Sequence, residues 1–444
     1  MYTARYLGAE GFGILSFSIA FTSIFGVFGD LGLSPLTVRE VARSKLLSDK
    51  YLGNIAIIKI VLAITTIGLI SITINFLGYS HEIVKVVYLI AFYVILTTFS
   101  NMFYAIFQAY EKMEYQSIGQ IISSALLLFG VFWAIHYGYN VIGFAGIYLI
   151  AGMITLVYNL LIYYWKFSLS KLTIDWHFWK PTIKAALPFF FSAIVDIIAF
   201  KIDIVMLSMM KGDVVVGWYS AAYRLIEVLI FIPATIASVV YPVLSNFYIS
   251  EQQSLKLIYE KLFKYLVISG IPIAVGTTIL AHKIILLIYK SDFSNSVIAL
   301  QILIWTIPII FLNYVFGTIL ASINQQVLAL KINFLSMVLN VTINMLLIPR
   351  YSFIGASIAT VITCLMAVIL FFSFLSRNIT RISIQKYIYK PVLASIVMGL
   401  FIFFLIDINL LLLIILSIIV YFVALLFLKT SLIEDLSLLE TLSK

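Results

Sequence analysis

The sequence contains few charged residues for its length. Only 11% of its 444 residues are charged, 63% are hydrophobic, and the mean hydropathy is +1.13. Soluble domains carry about 25% charged and about 45–50% apolar residues, and water cannot accommodate so large an apolar surplus. The composition therefore excludes a soluble enzyme, a nucleic-acid-binding domain and a disordered regulator. It predicts a protein whose solvent is lipid.

The sequence also has only one cysteine and no nucleotide-binding loop. The single cysteine, Cys364, lies in an apolar run, and the four histidines form no His-x-x-x-His pair. We therefore expect neither a disulfide framework nor a metal site. The sequence has no G-x4-G-K-[ST] loop, which would cradle the phosphates of ATP. No cofactor is expected.

The apolar residues are arranged in long runs. A hydrocarbon core about 30 Å thick requires roughly 20 apolar residues per helix, and this length predicts thirteen spans. They cover about 11–33, 54–77, 87–109, 118–137, 142–165, 185–209, 217–243, 262–281, 296–323, 332–348, 355–376, 392–406 and 409–428. The connections between them are short, so we predict an all-α polytopic protein without a catalytic domain, which is not an enzyme.

Lysine and arginine are distributed unevenly between the two sets of connections. The set from 34–53 to the C-terminal tail holds 19 of them, and the opposite set, which begins with residues 1–10, holds six. Cytoplasmic loops carry the excess of basic residues. We therefore predict a multi-pass protein of the plasma or inner membrane with a cytoplasmic C-terminus.

Two short patterns recur in the same order. Gly8-x4-Gly13 returns as Gly212-x4-Gly217, an offset of 204, and Tyr139-x-x-Ile142-Gly143 returns as Tyr351-x-x-Ile354-Gly355, an offset of 212. Each offset crosses six predicted spans, so the two halves have the same orientation, as in transporters built from parallel repeats. We predict an N-terminal lobe (1–165), a cytoplasmic interlobe linker (166–184), a C-terminal lobe (185–376) and two extra helices with a cytoplasmic tail (377–444).

The repeat also predicts a helix upstream of residue 1. A full span, 185–209, precedes Gly212, whereas only seven residues precede Gly8. The expectation is a pattern of fourteen helices whose first member is absent from this sequence, and the alternative is a genuine thirteen-span protein.

Several segments resemble the prokaryotic polysaccharide-transporter family, which includes the O-antigen flippases. In the first half they are Ala4-Arg-Tyr-Leu-Gly-Ala-Glu-Gly-Phe-Gly13, Phe28-Gly-Asp-Leu-Gly-Leu33 and Val38-Arg-Glu-Val-Ala-Arg43. In the second half they are Ile202-Asp203-Ile-Val-Met, Val216-Gly-Trp-Tyr-Ser220, Tyr241-Pro242 and Asn340-x3-Asn344-x3-Ile348-Pro349, followed by Ile354-Gly355-Ala356. Ser352 stands where the family usually has glycine.

The resemblance implies membership of the multidrug/oligosaccharidyl-lipid/polysaccharide exporter superfamily, with two six-helix lobes often followed by two more helices. It also implies translocation of a lipid-linked oligosaccharide to the outer leaflet. The implied partners are that substrate, membrane lipids, H+ or Na+, and glycan polymerases, ligases or glycosyltransferases. An ion-coupled multidrug exporter of the same fold is the alternative. A membrane polymerase or ligase is disfavoured because the largest outside loop is short (282–295).

Charged residues at membrane depth are the candidate functional groups, because such charges are costly and usually face a bundle interior or a wet cavity. Arg224, Lys59 and Lys201 are candidates for binding an anionic headgroup, since cations bind phosphate. Arg224 can instead pair with Glu227 at i,i+3, and Lys59 and Lys201 can instead reach an interface by snorkelling. Asp30 is expected to contact a basic loop residue such as Arg39.

Carboxylates and amides complete the candidate site. Asp196 and Asp203 are seven residues apart and lie on nearly one helix face, so they, with Glu227, are candidates for ion coupling, or for pairing with neighbouring helices. Asn340 and Asn344 stack at i,i+4, and interhelical hydrogen bonding is the alternative to sugar contact.

Overall fold

The computed structural model describes residues 1–167, 175–250, 252–378 and 384–428, and these residues are almost entirely helical. Its α-helices are α1 (Tyr2–Asp30), α2 (Leu33–Arg43), α3 (Ser48–Phe76), α4 (His81–Ala109), α5 (Met113–His136), α6 (Val141–Phe167), α7 (Trp176–Lys211), α8 (Asp213–Ser250), α9 (Gln252–Tyr289), α10 (Ser296–Leu303), α11 (Thr306–Ser322), α12 (Gln326–Asn378), α13 (Ile384–Phe404) and α14 (Leu410–Phe427). Most of the predicted cytoplasmic tail and residues 168–174 of the predicted interlobe linker lie outside the described residues.

Eleven helices of the described part are long and apolar enough to cross a membrane, which confirms the prediction of an all-helical polytopic membrane protein. The thirteen predicted spans differ from these eleven at two places. The predicted span 185–209 lies in α7, which is not among the eleven, and the spans 332–348 and 355–376 fall together in α12.

The helix α12 is two helical segments that fold back on each other at Ser352. Its backbone there is non-helical (φ 54°, ψ −137°). A Cβ built on Gly355 would lie 2.6 Å from the Leu347 carbonyl oxygen, whereas eight residues of straight helix extend about 12 Å. The Asn340 side chain also hydrogen-bonds Thr363 across the fold. The predicted boundary between the two spans is therefore a sharp turn of the chain.

The chain divides into two compact units, Met1–Gly217 and Trp218–Lys444. In the first unit α4 packs against α1, α2, α3, α5 and α6, and α7 packs against α1 and α2. Its apolar core includes Leu36, Ile55 and Phe107, which are almost completely buried. The domain boundaries predicted from the sequence stay a prediction.

In the second unit α9 is the common neighbour, packing against α10, α11, α13 and α14. The predicted span 296–323 is broken into α10 and α11 at Ile304–Trp305, four residues before Pro308. Proline has no amide hydrogen to donate to the residue four positions earlier, which accounts for a break at this point. The Cα atom of Pro308 packs against Gly270 of α9, where a Cβ would lie 2.9 Å away.

The two copies of the glycine motif have the same backbone geometry and meet within the first unit. Gly8 (φ 68°, ψ −176°) and Gly212 (φ 85°, ψ 177°) both adopt a conformation that is essentially restricted to glycine. A Cβ on Gly13 would lie 1.8 Å from the Asp213 carbonyl oxygen, and one on Gly217 would lie 2.0 Å from that of Ala9. The motif therefore permits two helices to approach backbone to backbone, as small residues do in membranes.

Candidate functional site

A break between α1 and α2 brings several polar groups together inside the first unit. The α1 helix ends at Asp30, and Leu31 (φ 49°) and Gly32 (φ 75°) are left-handed before α2 begins at Leu33. The break frees backbone groups that a continuous helix would bond. Asp30 satisfies part of this need, because its Oδ2 accepts from the Ser34 amide (3.2 Å) and its Oδ1 accepts from the Ser34 hydroxyl.

Lys59 of α3 is fully buried beneath this break. Its ammonium group donates to Asp30 Oδ1 (2.6 Å), to the Thr98 carbonyl oxygen of α4 (2.7 Å) and to Ser34 Oγ (3.1 Å). An ammonium group has three protons to donate, and here each has an acceptor. Lys59 thus ties α1, α2, α3 and α4 together. Its role as a headgroup contact stays a prediction. In this structure its ammonium protons are donated to groups of the protein itself.

The expected contact between Asp30 and Arg39 is not formed. Arg39 Nε lies 2.8 Å from Glu40 Oε1 instead, and its guanidinium group lies over the ring of Phe189 in α7. Asp30 has Lys59 as its partner because the α1–α2 break turns the carboxylate toward α3.

The two carboxylates of α7 lie in different surroundings although their spacing places them on one face. Asp196 is exposed, and Asp203 is the first residue of a buried run that extends to Ser208. Lys201 is half-buried between them. The helical repeat predicts the direction of a side chain, but neighbouring helices decide which part of that face is covered.

Arg224 and Glu227 form the predicted i,i+3 pair on α8 in the second unit. Arg224 Nη1 lies 3.3 Å from Glu227 Oε2, and the Arg224 side chain is 45% exposed. Of the three cations predicted to bind a headgroup, Lys59 is fully buried, Lys201 is half-buried and Arg224 is exposed.

The asparagines of α12 join a buried network in the second unit. Asn344 Nδ2 donates to Asn340 Oδ1 (3.0 Å), and Asn340 Nδ2 contacts Thr363 Oγ1 at 3.5 Å. Nearby, the Tyr219 hydroxyl lies 3.3 Å from Thr360 Oγ1. These are hydrogen bonds of the kind expected if the asparagines join helices rather than contact a sugar. Both asparagine side chains are buried. Sugar contact stays a prediction.

A polar junction at the start of α7 could be found in the sequence only in part. Asp175 caps the helix, accepting from the His177 amide at 3.0 Å, and Asp before a helix is a recognisable cap. The buried Asn54 of α3 accepts from the Asp175 amide (2.9 Å) and from Trp179 Nε1 (3.0 Å). Lys50, hydrogen-bonded to Asp175 (2.8 Å), holds the pKa of that carboxyl below its ordinary value.

Within the described residues, no group of three or more His, Cys, Asp or Glu side chains is placed to hold a metal ion. Among the candidate residues, the structure shows two pairs of opposite charge, Lys59–Asp30 and Arg224–Glu227, and the buried amide cluster of Asn340 and Asn344.

Comparison of the whole chain with solved structures identifies the fold. The fold is similar to that of the lipid II flippase MurJ in an inward closed conformation, with a TM-score of 0.79, 17% identity, and coverage of 98% of this chain and 95% of that one. It is also similar to an inward-facing multidrug resistance MATE family transporter of the MOP superfamily (TM-score 0.71, 16% identity, 87% and 93% coverage). The chain has the fold of MOP-superfamily transporters.

Sequence comparison defines the family. The model described as "Polysaccharide biosynthesis protein" matches residues 1–248, more than half of the chain, and the MatE model matches residues 188–346. The chain belongs to the polysaccharide biosynthesis protein family. A curated relative, the probable low-salt glycan biosynthesis flippase Agl15 of Haloferax volcanii, is 24% identical over 392 residues, which are 85% of this chain and 79% of the relative.

Proposed function

We propose that this protein translocates a polyprenyl-phosphate- or pyrophosphate-linked oligosaccharide from the cytoplasmic to the outer leaflet by alternating access, for synthesis of a cell-surface glycan. Family membership supports a role in polysaccharide biosynthesis. The named activity of the haloarchaeal relative supports a glycan flippase. The substrate would combine an anionic headgroup and a sugar chain with a polyprenyl tail that stays in lipid.

The observation that carries the proposal is the exposure of Arg224. It lies eleven residues from the start of α8 at Asp213, about 16 Å along the axis of a helix that is long and apolar enough to cross a bilayer about 30 Å thick. An exposed guanidinium within such a span is costly unless it faces water or an anionic ligand. Its planar donors fit two phosphate oxygens at once.

Glu227 gives Arg224 a resident counter-ion. The 3.3 Å contact keeps the guanidinium from standing unpaired when no substrate is bound. A substrate phosphate would replace the carboxylate as the acceptor of the same donors. Binding then exchanges one acceptor of the guanidinium for another, so the arginine stays paired while the Glu227 carboxylate is released from it.

Coupling to an ion gradient is the second part of the proposal. The sequence has no ATP-binding loop, so the alternative source of drive is consumption of the product on the far side of the membrane. Asp196 is an exposed carboxylate on α7, where H+ or Na+ could reach it, and Asp203 and Glu227 are the further candidates. Lys59, Lys201, Asn340 and Asn344 remain proposed substrate contacts, with the reservation for Lys59 that its three donors already have acceptors.

An ion-coupled multidrug exporter is the second candidate function. The MatE match over residues 188–346 and the similarity to a multidrug transporter favour it, and Asp196 would be its coupling group. Export of a drug does not depend on glycan synthesis. The two candidates therefore differ in whether a deletion strain accumulates a lipid-linked oligosaccharide or a drug.

The deciding experiment is deletion of the gene followed by rescue. For a flippase we expect the lipid-linked oligosaccharide to accumulate, the surface glycan to disappear, and both effects to be reversed by the intact gene. Normal surface glycan together with altered drug sensitivity would refute the flippase and support the exporter. Translocation of a labelled lipid-linked oligosaccharide in liposomes with the purified protein then tests the activity directly.

A further inference from the structure

The end of α5 carries an unusual group of exposed rings in the first unit. We define the α5 aromatic cluster as Trp133, His136, Tyr137 and Tyr139. Trp133 is 58% exposed, Tyr137 55% and Tyr139 43%, and His136 is also exposed. The rings contact one another: Tyr137 lies 4.6 Å from Trp133, 5.1 Å from His136 and 6.3 Å from Tyr139, measured between centroids.

A fixed turn holds these rings in place. Gly138 is left-handed (φ 71°) and its amide donates to the Ile135 carbonyl, while the Tyr139 amide donates to that of Ala134 at 2.9 Å. This pair of bonds is the Schellman arrangement that ends many helices. The buried Ala134 anchors the turn on the inner side. The backbone that carries the rings is therefore fixed, which lowers the part of the entropy cost of binding that comes from ordering the turn.

The chemistry of the cluster suits a neutral polyhydroxylated ligand. The sequence has no Asp, Glu, Lys or Arg from Tyr115 to Trp165, so the neighbouring parts of α5 and α6 bring no carboxylate, ammonium or guanidinium group to the cluster. The faces of aromatic rings carry negative potential, which attracts the polarised C–H bonds on one face of a sugar ring. The tyrosine hydroxyls and the imidazole add hydrogen-bond donors and acceptors for sugar hydroxyls.

Comparison with the repeat shows which rings of the cluster are particular to the first half. Trp and Tyr collect in aromatic belts at both membrane interfaces, and such a belt would serve both halves alike. At the 212-residue offset of the second pattern, Trp133, His136 and Tyr137 correspond to Met345, Ile348 and Pro349. Only the tyrosine at position 139 recurs, as Tyr351. Trp133, His136 and Tyr137 thus have no aligned aromatic counterpart in the second half, where Trp218 and Phe353 instead lie in contact near Tyr351.

The surface next to the cluster is apolar. Ile121, Leu128 and Phe129 are exposed along α5 and lead to Trp133, so a lipid tail can lie on this stripe while the sugars of the same molecule reach the rings. We propose that the α5 aromatic cluster binds the neutral sugars of the lipid-linked glycan at the outer face of the membrane. This inference rests on the proposed function and on the predicted orientation, and it names a contact with the translocated product.

The test measures sugar binding separately from transport. The full chain in nanodiscs is mixed with the water-soluble oligosaccharide released from its lipid carrier, and saturation-transfer difference NMR detects contact with the sugar C–H protons. Trp133→Leu combined with Tyr137→Leu removes two ring faces and keeps an apolar surface. Trp165→Leu is the matched control, because Trp165 is 70% exposed near the far end of α6.

We expect wild type and Trp165→Leu to bind the oligosaccharide, and the double variant to bind about tenfold more weakly, the order expected for losing stacked rings. Trp133→Phe with Tyr137→Phe keeps two rings and should retain binding, which distinguishes ring loss from misfolding. Equal binding by wild type and the leucine double variant, or no binding by wild type, would overturn the proposal and leave a membrane anchor only. Liposome translocation by wild type separately tests the proposed function.

Discussion

Lys59 of α3 and Asp30 of α1 form an ion pair of 2.6 Å across 29 residues of sequence, and the lysine is fully buried. The pair lies where the helix that contains Asp30 breaks. A buried charge that loses its partner costs far more than an exposed one. This relationship makes the pair a strong candidate for the structural support of the first unit.

Removal of one partner should therefore destabilise the protein strongly. We expect Lys59→Met to lower the free energy of unfolding by about 3–5 kcal/mol, measured by denaturant titration in detergent. The double variant Asp30→Leu with Lys59→Met should recover much of this loss, because no unpaired charge remains. Lys112→Met removes one partner of an exposed pair with Glu114 and should change stability by less than about 1 kcal/mol. Additive effects of the two buried substitutions would contradict the pairing.

The glycine motif predicts a matched set of substitutions. Gly13→Ala places a Cβ 1.8 Å from the Asp213 carbonyl oxygen, and Gly217→Ala places one 2.0 Å from that of Ala9. Since both obstacles are backbone, we expect each variant to lose about 1–3 kcal/mol, the cost of overpacking. Gly146→Ala, with no atom within 4 Å of the added Cβ, is the control and should be neutral or slightly stabilising. Equal thermal stability of all three variants would refute this packing.

Ser352 predicts a stabilising change. Its φ of 54° lies in the region where glycine has no steric cost, and strained positions of this kind cost about 1–3 kcal/mol. We expect Ser352→Gly to raise the midpoint of thermal unfolding. Ser373→Gly, within the second segment of α12, should lower it, because glycine weakens a helix interior by about 0.5–1 kcal/mol. A lower midpoint for Ser352→Gly would show that the serine side chain stabilises the turn.

Arg224 provides the test of the headgroup site. We expect Arg224→Gln to abolish translocation of the lipid-linked oligosaccharide at unchanged protein level, because glutamine cannot supply the charge or the paired donors. Lys59→Arg serves as a comparison at a buried position, where the expected defect is in protein yield. Continued export by Arg224→Gln would exclude this arginine from substrate binding.

The junction at Asp175 predicts a response to acid. The Lys50 hydrogen bond, aided by the charge of Lys50 and the His177 amide, holds the pKa of Asp175 below its ordinary value of 3.8. A lowered pKa means that the stabilisation is present at neutral pH and is lost only as the pH falls below about 4, through the folded pKa. Hydrogen exchange of the first turn of α7 should then accelerate. Asp175→Asn should remove this pH dependence while keeping the cap; an unchanged profile would refute the role of the carboxylate.

Sequence patterns predicted the helices better than the contacts between them. Apolar runs locate most spans, because burial in lipid leaves the backbone little choice but helix. The recurrence of the glycine motif was visible in the sequence, whereas the shared backbone geometry of Gly8 and Gly212 is seen only in the structure. The partners of Lys59 were not predictable, since Asp30, Ser34 and Thr98 come from three other helices and meet only when the first unit is packed.

Arg224 and the carboxylates of α7 show the same difference between contacts within a helix and contacts between helices. The i,i+3 spacing fixed the Arg224–Glu227 pair because that contact lies within one helix. The different exposures of Asp196 and Asp203 depend on which helices lie against α7, and a helical wheel does not contain that information. Contacts within one helix were predictable from the sequence, but the burial of a side chain by neighbouring helices was not.

The junction at Asn54 has a consequence for biogenesis. Its side-chain oxygen accepts from groups 121 and 125 residues later in the chain, so α3 enters the bilayer long before those donors leave the ribosome. Until then this amide must be satisfied by water or lipid headgroups. Insertion of α3 and its final docking are therefore separate events in time. The contacts of Asn54 can form only after the start of α7 has been synthesised.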